Sequence, residues 1–244
     1  MLSLFFDAAA RPDAPAIRAL EAEGHDFAVS HDPAVAGREA GGGDWLELLA
    51  NGLTFDLLGL APGPAHPAAP FRHRFGLPDS FEPQACRAIV LQPGPHLSGG
   101  SAMLPVVRSQ LGLATRLCAL PGAIAVGWAP ARCLSSVEHF LGHVRRWLEG
   151  GVFPALGLTA LSQIHDGALH SEGLAFFTGQ ELRIEPELAA DKAGAAKLAL
   201  RLIDELVRRG RVTQPERIGI PRMGFLRIAP SDNRRFVRVW PDGE

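Results

Sequence analysis

The sequence predicts an α/β or α+β fold, a mixed β-sheet flanked by helices. Three observations carry that expectation. From Arg87 to Gly210 the chain alternates in the order β-α-β-α-β-β-α. Near its end, Leu198, Leu202 and Leu206 recur at the spacing of one helical face. Apolar residues make up 47% and charged residues 20% of 244, so the chain is globular in composition and long enough to bury a core without staples.

The elements follow in order. Leu2–Phe6 is an apolar first strand. Pro15–Glu23 is a short helix with Ile17 and Leu20 on one face and Gly24 as its stop. Asp26–Ser30 is a short strand. Gly41–Gly43 is a break, after which Asp44 caps a helix written WLELLA. Leu53–Leu60 is a buried strand. Pro62–Phe81 is rich in proline and reads as a long surface loop or linker. Within it, Phe71 and Phe75 with Arg72, His73 and Arg74 mark a partner contact or a loop packed on its own domain.

The second half is more regular. Arg87–Leu91 is a strand, Pro93–Gly100 a loop, and Ser101–Leu117 a helix with Pro105 in its first turn. Gly122–Trp128 is a strand. Ser135 or Ser136 caps the next helix, which Gly150 ends. Two strands flank the His165-Asp166-Gly167 turn, and Thr178-Gly179-Gln180 forms a second turn or a bulge. The last helix ends at Gly210, and FLRI and RFVRVW are strands of the tail. The expected division is an N-terminal lobe, 1–80, with its proline-rich linker, and a C-terminal sheet-and-helix lobe, 81–244, merged into one globule. A faint echo between HDFAVSHDP…WLELLANGLTFDLLGL and GAIAVGWAP…WLEGGVFPALGLTAL suggests two related β-α-β lobes.

The order AIAVGWAP, SSVEHFL, GLTAL and HSEGLAFFTGQELRIEP, followed by a long helix, resembles the bacterial domain of unknown function 4261 family. The matching positions are Trp128, Gly173-Leu174, Gly179 and Glu181, within roughly 84–210. The resemblance implies an accessory or interaction protein rather than an enzyme.

Charge and cysteines narrow the function further. A net charge of −2 gives no global reason to bind nucleic acid or an anionic membrane. The Arg208, Arg209 and Arg211 cluster suits a helix C-terminus. The Arg234, Arg235 and Arg238 cluster is read as lacking aromatics placed to stack single strands. No window approaches the roughly 18 apolar residues that span a bilayer, and the N-terminus lacks a basic n-region. Cys86, Cys118 and Cys133 are far apart, which fits a reducing, cytoplasmic setting without disulfides. His139 and His143 share a helix face, but a metal site needs further ligands, so no metal and no cofactor are expected.

Two functions remain from these residues. The first is a non-catalytic cytoplasmic protein that binds a protein partner through a sheet face or the proline-rich loop. The alternative is an enzyme or small-anion-binding domain. It would use Ser98, Gly99, Gly100 and Ser101, where glycine lets an anion reach free N–H groups at a helix start, and the His170/Glu172 strand face. No residue is assigned a catalytic role.

Overall fold

Every residue of the first strand, Leu2–Phe6 (β1), is buried. A strand buried on both faces belongs in the middle of a covered sheet. There β1 lies, between Arg87–Pro93 (β6) and Ala123–Trp128 (β7), antiparallel to both. The computed structural model describes residues 1–24, 26–34, 45–67, 69–221 and 224–242. They divide into two compact units, Met1–Gly150 and Gly151–Glu244.

In the first unit the remaining strands are Ala28–His31 (β2), Trp45–Ala50 (β3), Leu53–Leu58 (β4), His73–Phe75 (β5) and Cys133–Ser136 (β8). Its helices are Ala14–Glu23 (α1), Leu104–Leu117 (α2) and Val137–Leu148 (α3). The sheet runs β2-β3-β4-β6-β1-β7-β8-β5, antiparallel except for the β5–β8 pair. Helix α2 packs on β1, β4 and β6, and α3 on β7 and β8. Buried polar groups on α2 find partners: Gln110 donates to the Leu91 carbonyl at 2.8 Å and Ser109 to that of Ala50 at 3.1 Å. Ser136 caps α3, its hydroxyl accepting from the His139 N–H.

The segment WLELLA is a strand, not the expected helix. Leu46, Leu48 and Ala50 are buried at period two. Asn51 and Gly52 then turn the chain with φ of 52° and 74°, and Ala50 pairs with Leu53 across a two-residue hairpin. Asn-Gly between apolar runs is a strong hairpin signal, and it outweighs the helical propensity of the leucines. The supposed cap, Asp44, and the Gly41–Gly43 break lie outside the described residues. The finding also removes the internal echo, since Trp45 begins a strand whereas Trp147 sits in the last turn of α3. No atom lies within 4 Å of a Cβ built on Gly52, so Gly52→Ala carries only the left-handed backbone penalty. It is expected to lower stability by about 1–2 kcal/mol in urea unfolding.

The boundary between units falls at 150/151, while strands on either side of 80/81, β4 and β6, hydrogen-bond to each other. The proline-rich stretch contributes β5 to the sheet edge. Residues 87–210 are divided between the two sheets, β6 to β8 in the first and the later strands in the second.

The second unit holds Ala160–Gln163 (β9), Leu169–Glu172 (β10), Glu181–Ile184 (β11), Glu216–Ile220 (β12), Gly224–Pro230 (β13) and Phe236–Pro241 (β14). The order is β12-β13-β14-β11-β10-β9, antiparallel except for β11–β14. Three one-turn helices, Ala155–Leu158 (α4), Ala175–Thr178 (α5) and Pro186–Ala189 (α6), accompany the long Lys192–Arg209 (α7). Asp191 caps α7 by accepting from the Ala193 N–H, and Gly210 at φ 81° ends it. Leu198, Leu202 and Leu206, with Ala195, Ala199 and Ile203, form its buried stripe, as the spacing predicts. Helix α7 packs on β11. Among the described residues no helix is long and apolar enough to cross a membrane.

Candidate functional site

Strand alternation divides the second sheet into two chemically different faces. Toward α7 it presents buried Leu182, Ile184, Leu226, Ile228, Val237 and Val239. The opposite face carries arginines and rings in register. His170 pairs with Arg183 and Arg183 with Arg238; farther along, Trp240 pairs with Arg227 and Arg227 with Arg217.

The outer half of this face, on β12, β13 and β14, is a ladder of guanidinium over ring. Arg217 lies 4.1 Å from the centroid of Phe225. Arg227 and Arg238 lie 5.8 and 4.8 Å from that of Trp240. Such contacts hold a guanidinium plane in place while leaving N–H groups at its edge. Phe225 is 57% exposed, unusual for a ring that size. Opposite it stands Gly219, where a Cβ would come within 3.3 Å of that ring. Arg217 also pairs with Asp242; Arg227 is exposed and has no carboxylate partner among the described residues.

The inner half is an ion network centred on Arg183. Its Nη2 donates to Asp166 Oδ2 at 2.7 Å, its Nε to Glu185 Oε1 at 2.9 Å and its Nη1 to His170 Nε2 at 2.9 Å. Arg238 Nε donates to the same Glu185 oxygen at 2.5 Å. Burial works to raise the Glu185 carboxyl, but the hydrogen bonds from Arg238 and Arg183 outweigh it and hold it below the ordinary range. Burial and the charge of Arg183 lower the His170 pKa. With Nε2 accepting from Arg183, His170 is a neutral acceptor whose lone pair is already used, and its ring packs 4.8 Å from Phe236. Glu172 lies on the same strand face but is not a free carboxylate. Of the pair expected to do acid–base work, His170 is thus tied into a structural network.

Glu181 is more heavily bonded than sequence reasoning suggested. Its carboxylate accepts from the Ser171 hydroxyl at 2.5 Å and from the N–H groups of Gly173, Leu174 and Ala175 at 2.8, 3.1 and 3.1 Å. It caps α5 from across the strand. Gly173, with φ 101°, supplies the left-handed bend that aims these amides at one carboxylate.

Ser98, Gly99 and Gly100 lie in a 3₁₀ turn, Pro95–Gly100, and Ser101 follows it. Helix α2 begins only at Leu104, with Met103 as an N-cap that offers no side-chain hydrogen bond. The expected glycine loop is therefore not the N-terminus of α2. It belongs to the first unit, whereas His170 and Glu172 belong to the second. His139 and His143 have ring centroids 4.6 Å apart, and His139 stacks on Phe75. Among the described residues no three His, Cys, Asp or Glu side chains cluster as metal ligands would. No disulfide joins Cys86, Cys118 and Cys133; burial pushes the Cys118 thiol up to about 12.

Contrary to expectation, the cluster of Arg234, Arg235 and Arg238 does have interleaved aromatics. Phe236 and Trp240 stand two residues on either side of Arg238 on the same strand face. FLRI and RFVRVW spell that alternation directly, but only the register shows that Arg217, Arg227 and Trp240 form one row. No protein-family model, curated protein or solved structure matches the chain.

Proposed function

We propose that this protein is a non-catalytic binding protein whose second unit docks an acidic segment of a protein partner on the face formed by β12, β13 and β14. The observation that supports this most is the ladder of Arg217, Arg227 and Arg238 over Phe225 and Trp240, exposed at Arg217, Phe225 and Arg227 and half-buried at Arg238 and Trp240. Arginine and aromatic residues are the types enriched in binding hot spots. A planar guanidinium held by a ring meets a carboxylate through two parallel N–H bonds. An acidic peptide suits the face better than a nucleic acid, because the rings already carry the chain's own guanidinium groups and are not bare platforms for bases. Three cysteines without a disulfide among them fit a reducing compartment, the cytoplasm. The resemblance of roughly 84–210 to the bacterial domain of unknown function 4261 family points the same way, to an accessory role.

The test is fluorescence anisotropy with a labelled Glu- and Asp-rich peptide carrying interspersed leucines. Saturable binding that weakens with added salt is expected. Arg217→Glu with Arg227→Glu should weaken it by about tenfold or more, since like charges across an interface repel. Arg146→Glu, on the exposed side of α3, should leave it unchanged. Tighter binding of oligothymidylate than of the peptide would contradict the proposal, as would indifference to the double reversal.

A further inference from the structure

The first unit holds a cleft of about 700 Å³ between β1, β6 and the proline-rich segment. That volume lies in the range of small-molecule sites. Its floor is apolar, made by Phe5 and Ala88, and its walls include Phe71 and Pro83. Its charged and titratable polar groups are Arg74, Arg87, His66 and Cys86, with no carboxylate among the described lining residues. Arg74 and Arg87 each spend one N–H on a backbone carbonyl, of Phe81 and Cys86, at 3.1 and 3.2 Å. A guanidinium has five N–H donors, so each retains several.

The wall is fixed in place. His66 N–H donates to the Ala88 carbonyl at 3.0 Å. Arg11 Nη1 donates to the Gly59 carbonyl at 3.1 Å, and Arg72 N–H to that of Arg132 at 2.8 Å. Phe71 packs edge-on to Phe5 and sits over Gly127, where a Cβ would come within 2.3 Å of its ring. Gly127 is the opening in β7 that lets this ring seat. A cleft whose wall is pinned before binding loses little ordering entropy when a ligand enters. His66 Nδ1 donates to the Pro67 carbonyl at 3.1 Å. Burial, then Asp7, raises the Cys86 thiol, so it is a neutral wall rather than a nucleophile.

We infer that this cleft binds a small carboxylic acid with an apolar or aromatic body, its carboxylate held by Arg74 and Arg87 and its body against Phe5 and Phe71. The two cations select the anion, and the ring-and-proline walls select the body. Inorganic anions alone meet only half of the site.

Calorimetry with 1-naphthoate, its neutral amide 1-naphthamide and inorganic phosphate tests this on the full chain. Naphthoate is expected to bind saturably at one site per chain, with the amide weaker by about tenfold or more, the factor that charge-assisted hydrogen bonds supply. Arg74→Gln with Arg87→Gln should remove that preference and leave amide binding unchanged. Both side chains are exposed, and an unaltered circular dichroism spectrum confirms the fold; if the double variant is misfolded, Arg87→Gln alone decides. Equal affinity for acid and amide would overturn the inference. So would unchanged naphthoate binding in the folded variant, phosphate binding as tight as naphthoate, or no binding at all.

Discussion

Leu202→Ala is expected to lower the unfolding free energy of the second unit by about 2–5 kcal/mol. Leu202 is fully buried in the middle of the α7 stripe, between Leu198 and Leu206, which are also buried. Truncation removes apolar contacts and leaves a cavity that α7, capped at both ends, closes only in part. Because the chain has two units, one global transition is not assured. The readout is therefore amide exchange in β11, the strand under α7, alongside urea unfolding. Lys197→Ala, exposed on the same helix, should stay within about 0.5 kcal/mol. A Leu202→Ala cost equal to that of Lys197→Ala would show that α7 does not carry the core of this unit.

Glu185→Gln is expected to cost about 2–4 kcal/mol, toward the lower end of breaking a buried ion pair because Arg183 keeps Asp166. The Glu185 side chain is only 4% exposed and serves two guanidinium groups at once. The change also makes a pH signature. The Glu185 pKa is depressed in the folded state, so its stabilisation is present above the ordinary carboxylate value and is lost as pH falls through the folded one. The His170 pKa is lowered too, so the unfolded chain takes up its proton first as pH drops below about 6.5, which again removes stability. Stability should thus decline on acidification in two steps, a His step and then a carboxylate step. Glu185→Gln should flatten the second and His170→Gln the first. Unfolding midpoints measured across that pH range check it; identical profiles for wild type and Glu185→Gln would remove the network from the stability of this unit.

Much of the fold was legible because local signals agreed with the tertiary structure. Helix α7 shows this best: the stripe of Leu198, Leu202 and Leu206 and the Gly210 stop both point one way. The strands around His165-Asp166-Gly167 were equally plain, while the choice of Ser135 or Ser136 as the cap of α3 falls to Ser136 only in the structure. WLELLA failed because three leucines in six residues fit either period, and the deciding signal, Asn51-Gly52, lay just after them. The proline-rich stretch hid β5, a three-residue edge strand held by its partner β8 some sixty positions away. The division between units was hidden in plain view at Gly150-Gly151, where the first glycine also serves as a helix stop.

The candidate site was legible only in part. The sequence offers His170 for acid–base chemistry it is not arranged to do, because its actual neighbour, Arg183, comes from another strand. The arginine–aromatic row was present as alternation in FLRI and RFVRVW, yet it becomes one surface only when β12, β13 and β14 align. Pairing across strands is long-range information that no local pattern contains.

The docking face is tested most directly by amide and side-chain chemical shifts of the labelled full chain as the acidic peptide is added. Saturable shifts should concentrate at Arg217, Phe225, Arg227, Arg238 and Trp240, with the indole and guanidinium N–H signals of Trp240 and Arg227 moving most. Shifts that map instead to the buried side of the sheet or to the first unit, or none at saturating peptide, would contradict the assignment of this face.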